Sequence, residues 1–107
     1  YKIDKNNLII IYDDIDTIPE KIRIRKTGGP GTHNGMKSVV HCLGTDEFPR
    51  VRVGIGMPEF KSDLINYVIG HIPNEEVEKL EKGVNLAVEA IESIMKNGID
   101  IAMNKFN

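Results

Sequence analysis

The sequence predicts an α/β domain built on a mixed sheet with flanking helices. Three observations predict it: a β-branched apolar run near the start, two runs in which arginines alternate strictly with aliphatic residues, and a C-terminal half with apolar residues at helical spacing. From Asn7 to Tyr12 the run Asn-Leu-Ile-Ile-Ile-Tyr is apolar without alternation, so it predicts a strand buried on both faces. Asp13, Asp14 and Asp16 close it, at the end of a strand where ligands of open α/β sheets collect. After Pro19, Lys21-Ile22-Arg23-Ile24-Arg25 alternates, and Arg50-Val51-Arg52-Val53-Gly54-Ile55 does so again after Pro49. These predict two half-buried strands with their arginines facing out. Between them, Thr27 to Gly31 reads as a loop and His33 to Leu43 as a helix, with Gly44 at its C′ position.

The remainder reads as helical. Ser62 can cap a short helix through Tyr67 to Ile69, ended by Gly70, and Pro73-Asn74-Glu75-Glu76 opens a longer one, Glu75 to Lys96. Its predicted apolar stripe is Val77, Leu80, Val84, Ala87, Val88, Ile91, Ile94 and Met95. Asn97-Gly98 stops it, and Ile99 to Phe106 adds a last short helix against the core. Three strands make a thin sheet for this many helices, which leaves room for further strands.

With 107 residues, 40% apolar and 28% charged, the chain has the length of one small domain and too balanced a composition for disorder. No apolar run approaches a bilayer span, and Tyr1-Lys2-Ile3-Asp4-Lys5 is too charged for a signal segment, so a soluble intracellular protein is expected. The single cysteine, Cys42, has Val39, Val40 and Leu43 around it and reads as a core thiol. The net charge of −2 conceals a sorting: residues 1–19 carry two basic and four acidic groups, residues 20–61 eight and four, and residues 62–107 four and eight. A basic middle segment can offer a face to a polyanion, or the imbalance can be chance over short windows.

Gly29-Pro30-Gly31-Thr32-His33-Asn34-Gly35-Met36-Lys37-Ser38 touches two phosphate-binding patterns and fits neither. Met36 interrupts the Gly-Lys-Ser of a P-loop, and the dinucleotide-binding glycines are off by one. What remains is a loop that delivers His33 and Asn34 to a helix N-terminus, where free amides and the dipole favour anions; alternatively Thr32 or Asn34 merely caps that helix. Asp13, Asp14 and Asp16 are too closely spaced for an EF-hand loop, and read either as an acidic turn or as a carboxylate placed to accept a histidine N–H. Arg23, Arg25, Arg50 and Arg52 share a face on each strand; neighbouring strands would make them a phosphate-binding patch, or else they are an ordinary solvated face. No role is read for His41 or His71.

Together these residues resemble bacterial peptidyl-tRNA hydrolase. The resemblance runs through Leu8 to Asp16, Lys21 to Lys26, Gly29 to Ser38, Leu43-Gly44-Thr45, Phe48 to Gly56 and Ala102-Met103-Asn104-Lys105-Phe106. Tyr12 stands where the family often has histidine, and Pro30 and Thr32 replace small residues. The resemblance implies a globular α/β monomer that cleaves the ester joining a peptide to the terminal ribose of tRNA, in the cytoplasm, without metal or cofactor. It implies that Asp13 orients the catalytic histidine, that Asn34 positions substrate with His33 lining the same cleft, and that Arg23, Arg25 and Arg52 contact tRNA phosphates. The family's general base is a histidine in a Thr-Arg-His-Asn motif that these residues do not contain. The chain, 1–107, is therefore expected to be the C-terminal part of a single domain, inactive or nearly so by itself and prone to dimerise through an exposed sheet. A non-catalytic RNA-binding relative of the same fold is the alternative.

Overall fold

The computed structural model describes residues 3–31, 33–56 and 74–107. Near the start, Asp4 accepts the amide of Asn6 and caps a 3-10 turn, Lys5–Asn7, after which the backbone is extended from Leu8. The first strand, β1, runs over Ile10–Asp14. Strands β2, Ile22–Arg25, and β3, Arg50–Gly54, follow the alternating runs. They form a sheet of order β1-β3-β2, in which β1 is parallel and β2 antiparallel to β3. The mixed sheet expected from the sequence is present. Helix α1 spans Asn34–Leu43, α2 Asn74–Asn97 and α3 Ile99–Phe106. The short helix expected over Ser62 to Ile69 lies outside the described residues.

Alternation decides which face of the sheet is dry. Ile22 pairs with Val53 and Ile24 with Val51, so all four project to one side and are buried there against Ala87 and Ala90 of α2 and Ala102 of α3. Small side chains let the helices approach closely, and each buried Ile or Val contributes about 1.5–3 kcal/mol relative to an exposed one. The alanines also shift the packing arc of α2 away from the expected stripe. Ala87 and Leu80, Ile91 and Ile94 do face the core, whereas Val77, Val84, Val88 and Met95 are exposed, Met95 by 78%.

Three further expectations are corrected. Cys42 is exposed, because α1 buries only Met36 and turns the opposite side outward. The strand expected to be covered on both faces is not, since Ile11 is 50% exposed on a strand that pairs with β3 alone among the described residues. Arg50, expected to face solvent, is fully buried. Its side chain leaves the sheet on the side away from the helices and is roofed by two loops. Its Nη1 donates to the carbonyl of Gly28, its Nη2 to that of Asp46 and its Nε to that of Phe48, while the guanidinium lies 4.3 Å from the centre of the Phe48 ring. One side chain thus ties the glycine-rich loop before α1 to the loop after it. At the other end of β3, a Cβ on Gly54 would lie 2.1 Å from the Ile18 carbonyl oxygen, so only glycine lets the β1–β2 connection cross there. At the edge of the sheet, the Asn107 carboxamide accepts from the Ile24 amide and donates to the Ile24 carbonyl, at 2.7 and 3.0 Å.

Candidate functional site

Helix α1 begins with an unusual cap. His33, in extended backbone, turns its ring back over the first turn, and its Nδ1 accepts the amide of Met36 at 3.1 Å. The cap is thus His33 rather than Asn34, and Thr32 lies outside the described residues. The close return of the ring accounts for Gly35: a Cβ there would lie 3.0 Å from His33 Cε1 and 3.3 Å from Nδ1. The spacing His-Asn-Gly is what such a cap requires.

The other ring nitrogen, Nε2, lies 2.8 Å from Oδ1 of Asp13, at the end of β1. A neutral imidazole has one donor and one acceptor nitrogen. Because Nδ1 must accept from Met36, the ring carries its proton on Nε2 and donates it to Asp13. Both nitrogens are therefore committed, and His33 has no free lone pair with which to take a proton from water. Asp13 retains a second carboxylate oxygen, and its side chain is 37% exposed. Asn34, the first residue of α1, is exposed beside them, and no acidic residue of the first turn offsets the positive end of the helix dipole. The neighbouring acid Asp14 is structural, since it accepts the Asp16 amide and the Thr17 hydroxyl and so holds the turn after β1.

The arginines lie on the sheet face away from α2 and α3. Arg23 stands directly opposite Arg52, and Arg25 opposite the buried Arg50. Like charges directly opposite each other destabilise a sheet unless an anion or a dipole offsets them. Arg23 is exposed, and Arg25 and Arg52 are half-buried. Arg52 Nε donates to the hydroxyl of Tyr12 at 2.8 Å, and the Tyr12 ring meets that of His33 edge-on, with centroids 5.1 Å apart and planes at 74°. The structure thus brings Asp13 and His33 together and joins them to Arg52, while Arg23 and Arg25 extend the same face. Tyr12 does not stand out in the sequence as a site residue, because its link to Arg52 depends on the β1–β3 register, which spacing alone does not reveal. Among the described residues no group of three His, Cys, Asp or Glu is arranged to hold a metal, and no helix is long and apolar enough to cross a membrane.

The family model described as peptidyl-tRNA hydrolase matches residues 1–107. The peptidyl-tRNA hydrolases of Alkaliphilus oremlandii and Alkaliphilus metalliredigens are 46% and 51% identical over 107 residues, which is 100% of this chain and 57% of each relative. That of Clostridium acetobutylicum is 48% identical over 56% of its own length. The chain spans little more than half the length of these curated relatives. The crystal structure of peptidyl-tRNA hydrolase from Acinetobacter baumannii aligns with a TM-score of 0.78 at 31% identity, covering 90% of this chain and 48% of that one. With the family matched along every residue and the same fold in a solved structure, the conclusion is direct: the chain belongs to the peptidyl-tRNA hydrolase family.

Proposed function

We propose that the protein containing these residues hydrolyses the ester between a peptide and the terminal ribose of tRNA, releasing free peptide and recyclable tRNA in the cytoplasm. The supporting observation is the 2.8 Å contact between Asp13 and His33 at the α1 N-terminus, joined to an arginine face, in a chain matched throughout by this family. Ester hydrolysis needs an activated water, an oriented base and donors for the developing oxyanion. Asp13 orients the base through its remaining carboxylate capacity. Asn34 and the α1 N-terminus position the carbonyl, with His33 lining the cleft. Arg23, Arg25 and Arg52 hold tRNA phosphates, an assignment supported by Arg23 standing directly opposite Arg52 with Arg25 on the same sheet face, a cluster of like charge that a polyanion would offset.

By the family resemblance the base is the histidine of a Thr-Arg-His-Asn motif, which these 107 residues do not contain, and His33, with both ring nitrogens occupied, does not take that role. The isolated chain then has at most trace activity, since loss of a general base costs about 10²- to 10⁴-fold. By itself it associates through the sheet region around Ile11, as a symmetric dimer, whereas the whole protein acts as a monomer. Assaying peptidyl-tRNA cleavage by the whole protein and by the 107-residue chain tests the reading. Turnover by the isolated chain near that of the whole would refute the external base. Absence of cleavage by the whole protein, with RNA binding intact, would establish the alternative of a non-catalytic RNA binder.

A further inference from the structure

Tyr12 stands where the arginine face meets the Asp13–His33 pair. In the parallel register of β1 and β3 it lies beside Arg52, and its hydroxyl accepts the Arg52 Nε–H at 2.8 Å. On the other side its ring edges against His33. The bond engages Nε rather than the terminal nitrogens, for which no hydrogen-bond partner is seen among the described residues, and it restrains the orientation of the guanidinium. Close to one of those terminal nitrogens is Gly28, where a Cβ would come within 3.1 Å of Arg52 Nη2. The guanidinium is thus confined between a phenol oxygen and the backbone of the glycine-rich loop. Because Tyr12 uses its oxygen as acceptor, its own proton remains free to donate.

We propose that Tyr12 is a positioning residue that sets Arg52 at a fixed place relative to the Asp13–His33 pair, so that a tRNA phosphate held by Arg52 brings the ester into line with the α1 N-terminus. This rests on the tRNA reading above. An arginine side chain free to choose among many rotamers binds phosphate wherever it finds it; one pinned through Nε presents its remaining donors in one direction. The phenol is therefore the coupling between the contact that grips the polyanion and the place where the ester is presented.

The test is a double-mutant cycle on equilibrium binding of deacylated tRNA at fixed salt, using the whole protein and its Y12F, R52A and Y12F/R52A variants. Phenylalanine retains the ring against His33 and removes only the acceptor. Y12F is expected to weaken binding about 3- to 10-fold, the range of one net hydrogen bond. In the R52A background the same change is expected to cost less than about twofold, because the partner through which Tyr12 acts is gone. Equal losses in both backgrounds, or no loss in Y12F, would overturn the inference while leaving the tRNA reading intact. Unchanged binding by R52A itself would remove Arg52 from the phosphate contacts and overturn the inference, and tRNA binding absent from the unsubstituted protein would sink the tRNA reading as well.

Discussion

Strands β2 and β3 carry nearly the same pattern, Ile-Arg-Ile-Arg and Arg-Val-Arg-Val, yet their arginines have opposite fates. On β2, an edge strand, Arg23 is exposed; on β3, the central strand, Arg50 is fully buried and Arg52 is held by Tyr12. Alternation determines which side of the sheet a residue faces, and it does so for all four. It says nothing about what covers that side. The β2 end of the face is open, whereas over β3 the loops around Gly28 and Asp46 close on Arg50 and use its donors. A buried cation is tolerated there because carbonyl dipoles and the Phe48 face replace its hydration.

That contrast can be broken most directly by removing the two side chains in turn. Arg50→Ala should destabilise the fold by about 3 kcal/mol or more, since it opens a cavity and strands three carbonyls, whereas Arg23→Ala should stay within about 0.5 kcal/mol. Denaturant unfolding of both variants measures the difference, and similar values would show that Arg50 is not the tie between the loops. A smaller effect is expected at the loop end that Arg50 steadies. His33→Ala should cost about 1 kcal/mol through the lost cap, and His33→Asn should restore most of it because asparagine caps well. Asparagine cannot reproduce the Nε2 contact with Asp13, so peptidyl-tRNA cleavage should remain about 10- to 100-fold down. Cleavage that recovers along with stability would reduce His33 to a cap. The smallest effects sharpen the open part of the face: Arg23→Ala, Arg25→Ala and Arg52→Ala should each lower the slope of log binding constant against log salt by about 0.7–0.9. A slope unchanged in all three would make the face merely solvated.

Much of this arrangement is legible in the sequence. The strands of alternating residues, the helix ended by Gly44 and the long C-terminal helix follow from periodicity and punctuation, which are local. Cys42 and Arg50 depart from expectation for the same reason in opposite directions. Apolar neighbours in sequence do not bury the thiol, because α1 turns it outward, and a charged side chain is buried by loop carbonyls 22 and 4 residues away. Strand β1 begins later than its apolar run because Asn7 belongs to the turn capped by Asp4 and pairing with β3 starts only at Ile10, although Leu8 is already extended. The site divides likewise. Asp13 and His33 stand out as residue types, yet that they meet depends on where the glycine loop returns, and the role of Gly35 becomes visible only beside the His33 ring.

The carboxamide of Asn107 has one more consequence. By presenting a carbonyl to the Ile24 amide and an amino group to the Ile24 carbonyl, it imitates a single residue of a fourth strand, and then the imitation stops. A β edge recruits new strands by offering a run of unsatisfied groups, and a decoy occupying its middle ends that run as a chain terminator ends a polymer. Among the described residues the β2 edge is thus closed at Ile24, and a strand pairing there would first have to displace the Asn107 carboxamide.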